Sequence, residues 1–151
     1  MPLDFNFFRN MKKDFLRQEE RIEKVLSKKH AEFFKCNETL ETYRDFLIKN
    51  LVKPVEMTGV EDFDWEEFFI FGPGSKKEYE RLKKTRPSYK DTFILDSIEE
   101  EVDEFFGLLA NVTREKDKKT FQIPLADLRA IDEDSKNYQL LDDYSVWCIN
   151  Y

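Results

Sequence analysis

The side chains of this sequence with the clearest chemical potential are its carboxylates, which lie in three clusters. The first runs from Glu61 to Glu67, the second occupies residues 96–104, and the third combines residues 132–134 with Asp142 and Asp143. Crowded like charges repel one another unless solvent separates them or a cation neutralises them. Calcium is held by about six to eight oxygens, many of them from Asp and Glu. Each cluster is therefore either a solvated face or a metal site.

Two of these clusters contain acids at alternate positions, as the start of an EF-hand loop does. The candidate ligands at this spacing are Asp62, Asp64, Asp132 and Asp134. In both places the sixth residue is not glycine and the twelfth is not glutamate, so the sharp turn and the bidentate ligand of an EF-hand are missing. An EF-hand is excluded, and the four aspartates stay as candidate ligands of a different kind of calcium site.

Enzyme chemistry has little support in the sequence. There is no phosphate-binding glycine loop, no GxSxG and no HExxH, and His30 is the single histidine. Paired carboxylates can perform acid–base catalysis, but no pair is distinguished from the others. We therefore expect a protein that is not an enzyme.

One segment is basic in an otherwise acidic chain. Residues 76–90 contain seven Lys or Arg and two Glu. A solvated short helix is the simpler interpretation, and a contact site for an acidic protein partner is the other. In the second case the partner-binding residues are Lys76, Lys77, Lys83 and Lys84.

The overall charge limits the partners and the location. The net charge is −7 and the pI is near 4.9, which disfavours nucleic acid and anionic lipid and favours cations or basic partners. No apolar run approaches the ~20 residues of a membrane span, and no signal-peptide pattern is present. Cys36 and Cys148 are expected to be reduced thiols, which fits a cytoplasmic protein.

Hydrophobic periodicity predicts the elements that must position these residues. Apolar residues at helical spacing predict one long or two short helices over residues 7–34 and a helix over 38–51, with Asn37 as its N-cap and Pro54 beyond its end. Strands are predicted at 55–60, 68–71 and 93–95, with a hairpin formed by 105–112 and 120–124. A helical turn at 125–128, extended chain at 129–131 and a helix at 138–147 complete the prediction.

This order predicts an α+β fold in which N-terminal helices precede a small antiparallel, SH3-like β-barrel and a C-terminal helix. The absence of repeated βαβ units excludes a parallel sheet. We expect a charged, amphipathic and loosely attached helical arm over residues 1–36. A single domain follows over 37–151, with an insertion at about 64–90.

Three segments resemble the small bacterial calcium-binding proteins that lack EF-hands. They are residues 42–55, which carry TYRDFL before Pro54 and Val55, residues 121–128 (FQIPLADL) and residues 141–147 (LDDYSVW). In that family a tyrosine-bearing helix leads into a first strand containing proline. A PLxxL segment follows a barrel strand, and an acid-aromatic-x-x-Trp tail closes the chain. Core packing is the simpler role for most of the matched residues.

The resemblance implies calcium buffering or sensing by carboxylates, and it places only Asp142 and Asp143 inside a matched motif. The sequence departs from the family pattern in the region 65–90 and in the long N-terminal arm. Two hypotheses follow. One is a cytoplasmic protein that binds Ca²⁺ through clustered Asp and Glu, and the other is an acidic protein interaction module with no metal requirement.

Overall fold

A computed structural model describes residues 5–151, with side chains from Arg9 onward, so Phe7 and Phe8 of the predicted apolar stripe lie outside the described side chains. The helices are α1 (Phe5–Leu26), α2 (Asn37–Asn50), α3 (Asp64–Ile70), α4 (Lys76–Leu82) and α5 (Lys136–Asn150). The strands are β1 (Glu56–Gly59), β2 (Phe93–Ile98), β3 (Leu109–Arg114), β4 (Thr120–Pro124) and β5 (Leu128–Ala130). The predicted α+β class is confirmed.

The strands form one open antiparallel sheet in the order β4-β3-β2-β1-β5. The 3-10 turn Leu125–Asp127 carries the chain from the edge strand β4 to the opposite edge, where three-residue β5 pairs with β1. Closure would require the two edge strands to pair with each other, whereas β4 pairs with β3 and β5 pairs with β1. The sheet is therefore not closed, and the predicted SH3-like barrel is not confirmed.

Several predicted elements are confirmed by their counterparts in the structure. The helix at 38–51 is α2, the strands at 55–60 and 93–95 are β1 and β2, and the helix at 138–147 is the longer α5. The predicted hairpin is β3–β4, although β3 begins only at Leu109. The N-cap of α2 is Cys36 rather than Asn37.

The predicted strand at 68–71 is wrong, because these residues lie in and just after helix α3. A short apolar run cannot be assigned to strand or helix by periodicity alone. Here Asp64 and Glu67 occupy the first turn of α3, where negative charge favours a helix. The apolar side chains are not buried as in a central strand, since Phe68 is 54% exposed and Phe71 is 78% exposed.

Helix α1 packs on the domain through its C-terminal half. Ile22 and Leu26 are buried in the core, which accounts for the stripe that the sequence predicted to face the domain. Nearer the N-terminus, Met11, Phe15 and Leu16 are exposed. The C-terminal half of α1 is therefore an integral part of the helical layer, and it faces α2 and α5.

Three aromatic side chains join the helices at the centre of the core. The ring of Tyr43 stacks on Trp147 at a centroid distance of 4.9 Å and meets Tyr144 edge-on at 5.3 Å. The hydroxyl of Tyr144 accepts a hydrogen bond from the amide of Leu108, and the indole of Trp147 donates to the carbonyl of Phe33. These residues come from the segments that carry the family resemblance, and in this structure they pack the core.

Both cysteines are free thiols, as expected. None of the helices in the described part of the chain is long and apolar enough to span a membrane.

Candidate calcium centre

Asp142 and Asp143 lie on α5 where it faces α1, and both carboxylates are engaged. The guanidinium of Arg21 donates to both oxygens of Asp143, from Nε at 2.8 Å and from Nη2 at 2.9 Å. The side-chain amide of Gln18 donates to Asp142 at 2.9 Å and to Asp143 at 3.0 Å. Bidentate guanidinium–carboxylate pairs combine charge with fixed geometry. Asp143 is thus neutralised within the chain.

The environment of this pair strengthens the contact. Asp143 is 5% exposed, whereas the side chain of Arg21 is 39% exposed. The hydrogen bond from Arg21 to Asp143 raises the pKa of the guanidinium above its ordinary value, against the opposing effect of burial. Any cation that binds Asp143 has to compete with Arg21.

Asp132 and Asp134 lie in the turn that precedes α5, and the carboxylate of Asp132 accepts a hydrogen bond from the backbone of this turn. Oδ1 of Asp132 accepts a hydrogen bond from the amide of Asp134 at 3.0 Å, and its carbonyl accepts from the hydroxyl of Ser135. Ser135 in turn caps α5 by accepting from the amide of Tyr138. Asp132 has a local structural role here, while Asp134 is exposed.

Asp62 lies in the connection between β1 and α3, and Asp64 is the first residue of α3. This part of the chain adjoins Asp127 of the 3-10 turn. The amide of Val60 donates to the carbonyl of Asp127, which fixes the two segments side by side. Loss of hydration and the negative charges of Asp64 and Glu61 raise the pKa of Asp127 above its ordinary value. We call Glu61, Asp64 and Asp127 the acidic corner.

The acidic corner differs from the α5 aspartates in its lack of internal cations. Within the described part of the chain, the carboxylates of Glu61, Asp62, Asp64 and Asp127 have no Lys or Arg ion-pair partner. The like charges here are relieved only by solvent, so a bound cation would lower their mutual repulsion. Asp127 lies in the PLADL segment, but it was not among the predicted ligands, because a single aspartate outside the acidic clusters carries no distinguishing signal.

The predicted ligands do not converge on one preformed centre. Among residues 5–151, no three Asp, Glu, His or Cys side chains are grouped closely enough to hold one metal ion. The candidates occupy three places, which are the α1–α5 contact, the turn before α5 and the acidic corner. Calcium coordination here would need additional oxygens from backbone or water, or a local rearrangement.

The four candidate partner-binding lysines lie on or just after α4. Lys76 and Lys77 are exposed in its first turn. Lys83 pairs with Glu80 at 2.9 Å and lies over the ring of Tyr79, whereas Lys84 is exposed. The helix therefore presents a basic surface beside the exposed phenylalanines of α3.

A buried arginine fastens this basic segment to the sheet. Arg114, at the end of β3, is 0% exposed, and its guanidinium binds the carboxylates of Asp91 and Asp117. It also donates to three backbone carbonyls that follow α4, those of Lys83, Lys84 and Arg86. The helix leaves carbonyls unpaired at its C-terminus, and Arg114 satisfies several of the acceptors there. The hydrogen bond from Arg114 also lowers the pKa of Asp117 to about 2.

A buried glutamate fastens the other side of the same segment. Glu66 of α3 is 0% exposed and accepts hydrogen bonds from the hydroxyls of Tyr79 and Ser88 and from the amide of Tyr89. Sequence reasoning grouped Glu66 with the acidic cluster at 61–67. The structure instead gives it a fixed structural role, so it does not belong with the exposed carboxylates.

Residues 78–148 match a family model described as calcium binding. This confirms the resemblance to a small calcium-binding family across the part of the chain from α4 to α5. The matched range contains Asp127, Asp132, Asp134, Asp142 and Asp143. Asp62 and Asp64 precede it, as do two of the candidate lysines. No curated protein and no solved structure matches the chain significantly.

Proposed function

We propose that this protein binds Ca²⁺ through exposed Asp and Glu side chains and acts as a non-enzymatic calcium buffer or sensor in the cytoplasm. The observation that carries the proposal is the match of residues 78–148 to the calcium-binding family. The net charge of −7 supports it, because an acidic surface concentrates cations around the protein. A barrel-like completion of the sheet, as in the family that the sequence resembles, belongs to the same proposal.

The acidic corner is the place where we expect the ion. Asp64 and Asp127 come from separate segments that a backbone hydrogen bond already holds together. Loss of hydration and repulsion from Asp64 raise the pKa of Asp127, and a divalent cation between the two carboxylates would oppose the repulsion. Asp62 lies beside the corner in the chain and can supply a further oxygen.

Asp142 and Asp143 are the second location, and binding there has a different energetic requirement. Calcium must displace Arg21 and Gln18 from the two carboxylates before it can coordinate them. Binding at this location would loosen the contact between α1 and α5. A calcium-dependent release of α1 is therefore the signature of the second location, and the acidic corner predicts none.

The test is calorimetric titration of metal-free protein with Ca²⁺, with Mg²⁺ as the control ion and thermal unfolding measured in parallel. A ligand that binds only the folded state raises the melting temperature, by an amount equivalent to about 2.7 kcal/mol at 100 times its Kd. We expect saturable heat with Ca²⁺ and a higher melting temperature. No heat at millimolar Ca²⁺ would refute the proposed function.

Paired variants locate the ion. Asp64→Asn with Asp127→Asn removes two charges from the acidic corner, and Asp142→Asn with Asp143→Asn removes two from α5. Glu20→Gln with Glu41→Gln removes two exposed charges elsewhere and is the matched control. We expect the first pair to weaken Ca²⁺ binding at least ~10-fold relative to the control. Weakening by the α5 pair alone would place the ion at Asp142 and Asp143 instead.

A protein interaction module is the second candidate function. It is favoured by the exposed apolar side chains Phe68 and Phe71 near basic α4. An acidic partner with apolar residues would match this combination of charge and exposed surface. The test replaces Lys76, Lys77, Lys83 and Lys84 by Gln. Loss of partner capture without any effect of metal supports this function, and unchanged capture refutes it.

A further inference from the structure

A cavity of about 380 Å³ lies between α1, α2 and α5. Its volume falls within the range of about 300–1,000 Å³ that is common for small-molecule sites, which often lie between packed helices. No residue of the acidic corner, where we expect the calcium ion, lines this cavity, although Asp143 of the second calcium location does. One of its walls is the pair of Arg21 and Asp143, which neutralise each other.

The remaining charge around the cavity is positive, which is unusual in so acidic a chain. Lys24 of α1, Lys28 in the turn after α1 and Lys136 of α5 line it. Within the described part of the chain, none of the three forms an ion pair with a carboxylate. Three ammonium groups with no internal partner therefore surround one concave space.

The inner surface of the cavity is largely apolar, and its uncharged polar groups come from Tyr43, Asn50 and Gln139. Phe46, Leu140 and Val25 contribute apolar surface, and Tyr43 lies among them. Tyr43 is 1% exposed, and its hydroxyl forms no hydrogen bond with any described residue. In the described part of the chain, every fully buried side-chain oxygen has a hydrogen-bond partner. Since the hydroxyl of Tyr43 has no such partner, it is not fully buried, and its small accessible surface adjoins the cavity that Tyr43 lines.

The chemistry of the hydroxyl suits a hydrogen-bond donor to an anion. Burial raises the pKa of Tyr43 well above its ordinary value, so the phenol keeps its proton across the physiological pH range. A neutral donor set against apolar walls, with ammonium groups at the opening, is complementary to a ligand that has an apolar body and an anionic end.

We propose that this cavity binds a small organic anion that carries an aromatic or other apolar body and a phosphate or carboxylate group. The anionic group contacts Lys24, Lys28 and Lys136, and the apolar body packs against Phe46 and Leu140. The site is separate in charge and location from the acidic corner. The two proposals can therefore fail independently.

The probe is 1-naphthyl phosphate, titrated into metal-free protein by calorimetry at near-physiological salt. Two reference compounds separate the contributions of the ring and the charge. 1-Naphthol has the ring without the charge, and inorganic phosphate has the charge without the ring. We expect naphthyl phosphate to bind at least ~10-fold more tightly than either one, which corresponds to about 1.4 kcal/mol.

Two variants test the assigned residues. Lys24→Gln with Lys28→Gln should weaken binding of naphthyl phosphate at least ~10-fold. Lys12→Gln with Lys13→Gln makes the same charge change on α1, at least about 16 Å along the helix from Lys24. That control should change the affinity less than ~2-fold, because salt screens exposed charges beyond about 8 Å. Tyr43→Phe, which keeps the stacked ring, should weaken binding about 3-fold or more, as expected for a lost hydrogen bond.

The outcomes separate the possibilities. Equal binding of naphthol would show an apolar cavity without anion recognition and would overturn the proposal. Equal weakening by both lysine pairs would show non-specific attraction and would also overturn it. Binding of a polyglutamate peptide through Lys24 and Lys28, without binding of naphthyl phosphate, would identify an acidic peptide as the occupant instead. Calcium titration of the same variants reports separately on the acidic corner.

Discussion

Replacing Arg114 by Met tests whether one buried cation holds the α4 segment to the sheet. Met has a similar length and removes the guanidinium without leaving a large void. The change leaves Asp91 and Asp117 without their guanidinium partner and frees the backbone carbonyls of Lys83 and Arg86, while the carbonyl of Lys84 keeps its contact with Lys119. The side chain of Asp91 is 9% exposed, so water can restore little of its lost contact, although Lys116 still lies at 3.3 Å.

The expected loss follows from the burial of these groups. Removing one partner of a buried ion pair costs about 3–5 kcal/mol, and here the largely buried side chain of Asp91 keeps only the exposed Lys116 as a cationic partner. The freed carbonyl of exposed Arg86 can be rehydrated, which limits any further cost. We expect a loss of about 3–5 kcal/mol in the free energy of unfolding. In a chain of this length that is a fall of about 10 °C in melting temperature.

The assay combines urea unfolding with amide hydrogen exchange. Lys119→Met is the matched control, because exposed Lys119 donates to the same carbonyl of Lys84 that Arg114 binds. Loss of that single surface contact should cost less than about 1 kcal/mol. Exchange in Arg114→Met should increase at residues 83–91, while the β3–β4 hairpin stays more protected. An Arg114→Met variant within about 1 kcal/mol of the control, with unchanged exchange at 83–91, would refute the reasoning.

Three further outcomes follow from the same contacts. Glu66→Ala should lower the free energy of unfolding, measured in urea, by about 3 kcal/mol, since the hydroxyl and amide groups that donate to Glu66 lose their acceptor. Glu67→Ala on the exposed face is the control and should cost less than about 0.5 kcal/mol. The pKa of Asp117 is depressed from 3.8 to about 2, so its contribution is complete above pH 4 and disappears as the pH falls towards 2; Asp117→Asn should flatten the stability profile in that window. Asp127→Asn should stabilise the calcium-free protein slightly at pH 7 in urea unfolding, because loss of hydration and the charges of Asp64 and Glu61 disfavour the Asp127 carboxylate in the folded state, and solvent screening at this exposed residue keeps the gain small. Destabilisation of the calcium-free form would contradict this.

Local patterns were sufficient for much of the fold. The apolar spacing of α2 and α5 and the polar turn between β3 and β4 are short-range signals, and the structure contains all three elements. The strand predicted at 68–71 is wrong because four consecutive apolar residues fit either a strand or a helix. The acidic residues in the first turn of α3 favour the helix. The number of strands does not indicate whether the sheet closes, since closure depends on whether the edge strands β4 and β5 pair with each other.

The roles of the charged residues were much harder to predict, because their partners are distant in sequence. Arg114 precedes a charged turn and has the local sequence of an exposed residue, yet the segment 83–91 folds over it and excludes water. Asp143 and Arg21 are 122 positions apart, and no short-range pattern indicates that they pair. Periodicity identifies which face of an element is buried, but it does not indicate which charge meets which.

This difference changes how the acidic composition bears on calcium binding. A carboxylate attracts a cation in proportion to the charge that remains after its internal partners are counted. Asp143 is compensated by Arg21, and Asp91 and Asp117 are compensated by Arg114. The acidic corner keeps its uncompensated charge, because none of its carboxylates pairs with a Lys or Arg in the described part of the chain. Clusters of similar appearance in the sequence therefore differ in their capacity for calcium, and the internal arginines determine which carboxylates stay available.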